Sequence, residues 1–253
     1  MTESAYKAIF IPTRNEARGI FKHLKILSKT RVESTQIYIA ESKQSKNKIL
    51  LVLTGIGMSL AEKAIHTVLS LYTLQEIWLL GVCGATQIGF EAGDAFIADE
   101  ILCEEISKPI FKTNVSLREK ASHVFARLSQ RVHSGKILTV GRIVEEASQK
   151  ISFGKVYDCL ALEMEAYPLA KKAEELKIPF LEIRWVLDPA DYEVPPTQGF
   201  VDSQGEAKPF ATFKTFALNP KLGFQMIPFV QKVQIALKNM NEFLHSYFED
   251  GRI

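Results

Sequence analysis

The sequence predicts an α/β fold: a single domain spanning residues 1–253, built as three layers, α/β/α, around a twisted, mixed but mostly parallel central sheet. Three observations predict it. Short, almost wholly apolar runs recur along the chain, among them KAIFIP, KILLVLT and EIWLLGV, as strands covered on both faces require. Helix-permissive stretches separate these runs, the alternation expected of parallel strands joined by crossover helices. The length of 253 residues with 47% hydrophobic side chains allows a large core and sits at the upper end for one α/β domain.

Taken in order, residues 7–12 form a strand stopped by Pro12, and residues 16–28 read as a helix. Residues 48–54 form the next strand and end in Gly55-Ile56-Gly57; Ser59 reads as the N-cap of a helix reaching about residue 74. A third strand, 76–82, runs into Gly84 and Gly89, and Gly93-Asp94 opens a fourth at 95–101. Helices at 117–132 and 165–176 and strands at 136–140 and 180–186 continue the alternation. Beyond Asp188 the composition changes: Pro189, Pro195, Pro196, Pro209 and Pro220, with Gly199, Gly205 and Gly223, mark loop. An amphipathic helix at 228–248 follows, so 189–248 is a Pro/Phe-rich loop plus a terminal helix, too little for a second domain.

The 31 basic and 29 acidic side chains nearly cancel without a run of like charge, which argues against nucleic acid as a partner. Cys83, Cys103 and Cys159 are too few and too widely spaced for a disulfide framework or a paired zinc site, and read as small buried hydrophobes in a reducing compartment. The first 19 residues lack a signal-peptide core, and no stretch reaches the roughly 18 apolar residues of a membrane helix. A cytoplasmic location is the expectation.

Four places set polar residues at the ends of apolar strands, where sites on such sheets collect: Glu16; Gly55-Ile56-Gly57; the run from Gly81 to Ala85; and the pair Leu162-Glu163-Met164-Glu165-Ala166 with Arg184 to Asp191. Each also has a plain structural reading. Glycines serve strand-to-helix turns in most α/β proteins. Glu163 and Glu165 suit the first turn of a helix, and Asp188-Pro189 suits a turn. A nicotinamide-binding fingerprint is excluded because Met58-Ser59-Leu60 follows Gly57, leaving no third glycine.

Together the segments TGIGMSLAEKAI, GVCGATQIGFEAGDAFIADEI, ALEMEAYPLAKKAEELKIPF and RWVLDPAD resemble, in order and spacing, the motifs of the nucleoside phosphorylase and nucleosidase superfamily. EMEA and DPAD are the most specific. The resemblance implies cleavage of the bond between a ribose and a purine-like base, with no metal and no cofactor. It implies that Asp188 protonates the base, Glu165 holds ribose hydroxyls, Met164 packs under the sugar and Glu16 positions the attacking water. Glu163, Gly57, Gly84, Val144 and Arg184 complete the expected substrate-binding set. The chemistry is coherent, since an oxocarbenium-like ribose needs an acid for the leaving base, an oriented nucleophile and nearby negative charge.

Where phosphorylases of the superfamily carry an arginine and a serine to grip phosphate, this chain has Leu79 and Val82, neither with a side-chain donor. That argues for hydrolysis, while Arg14 and Arg18 keep phosphorolysis open. Leu187 replaces the serine that nucleosidases set beside the catalytic aspartate. The stretch GRIVEEASQK and the tail resemble the hopanoid-associated branch, whose implied substrate is a lipid-linked adenosine. Eight of the 16 phenylalanines, Phe200, Phe210, Phe213, Phe216, Phe224, Phe229, Phe243 and Phe248, fall after residue 199. They read either as an apolar mouth, with peripheral membrane contact, or as rings closing the core or the interface of a homodimer. A binding protein that kept the fold without catalysis is the remaining alternative.

Overall fold

The computed structural model describes residues 5–105, 107–195 and 220–249, with side chains from 226 onward in the last stretch. Ten strands lie in one sheet: β1 (Tyr6–Ile11), β2 (Leu24–Val32), β3 (Thr35–Ser42), β4 (Lys48–Leu53), β5 (Leu74–Ala85), β6 (Ala95–Cys103), β7 (Phe111–Lys112), β8 (Val132–Thr139), β9 (Ala161–Glu163) and β10 (Phe180–Asp188). The helices are α1 (Met58–Leu71), α2 (Val115–Phe125), α3 (Ala147–Tyr157), α4 (Ala166–Leu176) and α5 (Pro220–Glu249). The fold is the expected mixed α/β sheet. Its central ladders β4–β1, β1–β5 and β5–β10 are parallel, and the hairpin β2–β3–β4 is antiparallel.

Side-chain alternation builds the layers. Ile77 and Leu79 of β5 face the cluster that Ala61, Ile65 and Val68 of α1 share with Leu169 and Ala173 of α4. Trp78 and Leu80 point the other way, into a cluster with Leu117 and Val124 of α2 and Met240, Phe243 and Leu244 of α5. The sheet also closes on itself. Strand β5 pairs with β10, β10 with β6, β6 with β8, β8 with β9, and β9 returns to β5. This ring of five strands brings the ends of β5, β9 and β10 to one mouth.

Several local expectations are corrected. Residues 16–28 are not a helix: two 3-10 turns, Glu16–Arg18 and Ile20–Lys22, lead into β2, whose backbone groups pair with β3 from Leu24↔Ser42 to Val32↔Thr35. Strand β2 is exposed beyond Leu24. It therefore carries no period-two burial signal, and the ladder to β3 overrides helix propensity. Ser59 is not the N-cap of α1; Gly57 is, at φ 101°, a backbone setting that suits glycine. Helix α2 stops at Phe125 because the chain from Val132 is already paired with β6. Helix α3 and strand β9 were not foreseen. The last helix starts at Pro220, not 228, and carries Pro228 internally.

Candidate active site

A cavity of about 310 Å³ opens at the mouth of the strand ring. Its wall includes Glu16, Gly84, Val144 and Glu163, with Met164, Glu165, Arg184 and Asp188. Thus eight of the nine expected site residues converge from five separate stretches. Gly57 lies just outside the wall, where Ile56 takes its place, but its amide donates to Glu165 Oε1 at 2.8 Å.

Asp188 ends β10 as its last strand residue and is buried. Across from it, β5 has Gly84, where a Cβ would stand 2.9 Å from Asp188 Oδ2; only a glycine lets the carboxyl approach this strand so closely. Lys150 of α3, itself 1% exposed, donates from Nζ to Asp188 Oδ2 at 2.7 Å. The same ammonium donates to the carbonyls of Pro189 at 2.7 Å and Tyr192 at 2.6 Å. Burial pushes the Asp188 carboxyl up to about 6 against the opposing pull of Lys150.

The second assembly centres on Arg184, also 1% exposed. Its Nε donates to Glu182 at 2.6 Å, and its Nη2 donates to Glu163 and, at 3.2 Å, to Glu165. Glu163 accepts in addition from the Thr139 hydroxyl and from the backbone amides of Glu165, at 2.7 Å, and Ala166, at 2.9 Å, so it also caps the start of α4. The first-turn reading and the site reading of this residue therefore coexist. Burial raises Glu165 to about 7, with Arg184 opposing and Glu163 reinforcing the shift. Glu182 is pushed to about 8 by burial and by Glu163. For Arg184, burial favours the neutral form, but the surrounding carboxylates outweigh it and raise the pKa.

Glu16 approaches the same centre from the opposite side. Its Oε2 accepts from the Thr13 amide at 3.0 Å and the Thr13 hydroxyl at 2.6 Å, and its Oε1 from the Val82 amide at 3.0 Å. Burial raises its pKa despite the lowering influence of Thr13, Arg184 and Val82. Here Gly81 is required for room, since a Cβ would lie 2.5 Å from Arg184 Nη1 and 2.9 Å from Glu16 Oε1.

Sequence reasoning missed Lys150, Thr13, Glu182 and the wall residues Val233 and Leu237 of α5. A signal existed for Glu182: it shares a strand face with Arg184 inside an otherwise apolar run. No comparable signal marked Lys150. Of the eight late phenylalanines, Phe243 and Phe248 pack in the core, the second of the two readings offered for these rings, whereas Phe229 lines the cavity, as the first has it. Phe200, Phe210, Phe213 and Phe216, and the side chain of Phe224, lie outside the described residues. Arg14 and Arg18 are exposed and absent from the cavity wall. The three cysteines are free and buried. Among the described residues no helix is long and apolar enough to cross a membrane.

Comparison with known proteins gives the family and the fold. The chain is 22% identical over 197 residues to the aminodeoxyfutalosine nucleosidase of Campylobacter jejuni, a match covering 72% of this chain and 85% of that one. It is 23% identical over 167 residues to a DeoD-type purine nucleoside phosphorylase of Buchnera aphidicola, covering 62% and 71% respectively. The 5'-methylthioadenosine/S-adenosylhomocysteine nucleosidase of Neisseria meningitidis, solved in complex with methylthio-immucillin-A, shares the fold at a TM-score of 0.75 and 18% identity, over 98% of this chain and 100% of that one. The sequence profile of the Phosphorylase superfamily matches residues 7–215, and the chain belongs to that superfamily.

Proposed function

We propose that this protein hydrolyses the N-glycosidic bond of an adenosine-containing nucleoside. The observation that carries the reading is three buried carboxyls, Glu16, Glu165 and Asp188, on the wall of one cavity at the strand ends. In this reading Asp188 protonates the leaving base, and its pKa of about 6 leaves a usable protonated fraction near neutrality. Glu165 accepts the ribose hydroxyls, Met164 packs under the sugar, and Glu16 orients the attacking water. Hydrolysis is favoured over phosphorolysis by the surroundings: Leu79 is fully buried in the core, Val82 turns its amide to Glu16, and Arg14 and Arg18 lie outside the wall.

The substrate in this reading carries a hydrophobic 5' group, of which a lipid-linked adenosine such as adenosylhopane is the extreme case. Its support is the apolar wall of Ile143, Val144, Leu187, Phe229, Val233 and Leu237. The cavity sits near the lower bound of about 300 Å³ for ligand pockets, so a large 5' group must leave through the mouth. Burying roughly 100 Å² of it is worth about 2.5 kcal/mol before ordering costs.

The test is adenine release from adenosine, methylthioadenosine and adenosylhopane, followed chromatographically with and without phosphate. We expect adenine and free sugar at equal rates in both buffers, and a higher kcat/KM for the more hydrophobic substrates. Sugar 1-phosphate formed only with phosphate would convert the reading to phosphorolysis. No adenine from any substrate would end it.

A further inference from the structure

Lys150 is a buried cation at the cavity wall for which the reaction described above has no task. Taking an ammonium out of water costs several kcal/mol, and Met or Leu would fill the same space in α3. All three of its N–H donors are used, and all three acceptors belong to the end of β10 and the turn after it: Asp188 Oδ2, the Pro189 carbonyl and the Tyr192 carbonyl. One side chain therefore fixes both the carboxyl and the backbone that carries it.

We infer that Lys150 is a positioning residue for Asp188, holding the carboxyl toward the cavity and stabilising the carboxylate left when its proton passes to the base. The inference rests on the proposed hydrolysis. As the glycosidic C–N bond breaks, its electron pair goes to the base, and the Asp188 proton moves to a base nitrogen. The water oxygen bonds to the sugar carbon and its released proton goes to the Glu16 carboxylate. Exchange with solvent then returns a proton to Asp188 and removes one from Glu16. The Asp188 carboxylate formed midway lies 2.7 Å from a full positive charge, in a site with little water to screen it. Other groups facing Asp188 act more weakly. Lys232 of α5, poised 4.8 Å over the Tyr192 ring, supplies a smaller attraction. The Tyr192 hydroxyl and the buried Cys83 thiol of β5 both feel the Asp188 charge.

The sign follows. Asp188 works as an acid only when protonated, so turnover falls as pH rises through its pKa. Lys150 lowers that pKa, and removing its charge must move the alkaline limb of the kcat/KM profile upward. Three variants separate charge from packing. Lys150→Gln keeps hydrogen-bond donors for the two carbonyls but no charge, Lys150→Met loses both, and Lys150→Arg keeps the charge.

With methylthioadenosine as substrate, Gln and Met are expected to shift the limb up by about one pH unit or more and to lower kcat on the order of tenfold. Arg is expected to leave the limb in place. Asp188→Asn, run alongside, tests the underlying reading: turnover within a few-fold of the parent would remove Asp188 as the acid. If Asp188→Asn is inactive while Lys150→Gln titrates at the parent's pH, the inference about Lys150 is overturned and the reaction stands. Should Lys150→Met fail to fold, the Gln and Arg pair carries the test, and a limb displaced equally in both would also overturn the inference.

Discussion

Two buried cations organise the two ends of the cavity, and they do so on opposite terms. Lys150 meets one carboxylate and two neutral carbonyls. Arg184 meets Glu163, Glu165 and Glu182 directly, with Glu16 close enough to feel its charge. The first end is balanced one to one, so its carboxyl can lose and regain a proton at little electrostatic cost. The second holds more carboxylates than one guanidinium neutralises, and burial, reinforced by Glu163, pushes Glu165 and Glu182 up to about 7 and 8. An excess of negative charge is what a ribose acquiring positive charge requires, and a balanced pair is what a proton donor requires. The residue types follow from this: a planar guanidinium reaches several carboxylates at once, whereas an ammonium gathers three acceptors around a point.

The largest effect should come from removing the cation of the crowded end. Arg184→Met leaves a group of buried carboxylates without a counter-charge and should lower stability by about 3–5 kcal/mol. Lys150→Met should cost less, because the single carboxylate left behind can take up a proton. Urea unfolding of both variants at pH 7 checks the order, and a more damaging Lys150→Met would break the contrast between the two ends.

Next comes Glu165→Gln, which can keep the hydrogen bond from the Gly57 amide but loses the charge and the acceptor for Arg184 Nη2. A loss of roughly 10- to 100-fold in kcat/KM is expected, about 1.4–2.7 kcal/mol of transition-state stabilisation. In the parent, kcat/KM should pass through a maximum between about pH 6 and 7, because Glu165 must be ionised while Asp188 is protonated, and the contribution of Glu165 to the acid side should vanish in the variant. Unchanged kinetics would reduce Glu165 to a helix-start residue.

These contrasts were only partly legible in the sequence. The apolar runs that became β1, β4, β5, β6 and β10 were clear because strands covered on both faces admit almost nothing polar, and the polar residues at their ends followed. Hairpin strand β2 was invisible because its side chains face solvent and only its backbone ladder to β3 holds it. Closure of the ring was invisible as well, since the three-residue strand β9 carries no pattern of its own. Lys150 shows why partnership resists prediction. A lysine in GRIVEEASQK has no local mark of burial, and its partner lies 38 residues away on another element. Glu163, Glu165, Arg184 and Asp188 were recognisable as types in a motif, but that one arginine would gather the glutamates while a lysine took the aspartate depends on the fold.

The smallest expected effect is the sharpest test of the crowded end. Glu182 is fully buried; its Oε1 accepts from Arg184 Nε at 2.6 Å, and its Oε2 has no hydrogen-bond partner among the described residues. A carboxylate oxygen left so is costly, whereas a protonated carboxyl reduces the penalty. With its pKa raised by burial to about 8, Glu182 is mostly neutral at pH 7. Glu182→Gln, a neutral replacement of the same shape, should therefore change stability by less than about 1 kcal/mol below about pH 5, where the unfolded carboxyl is protonated as well. The difference must depend on pH in one direction. A carboxyl whose folded pKa lies above its unfolded value stabilises the native state fully below the unfolded value and loses that contribution as pH rises through about 8. The glutamine variant has nothing to lose, so its melting temperature should gain on the parent's between pH 5.5 and 8.5. Glu182→Leu should be worse at both, because Arg184 Nε is then buried without an acceptor. A constant gap between parent and glutamine variant across that range would mean that Glu182 stays ionised in the fold, and that Arg184 balances its carboxylates better than their number implies.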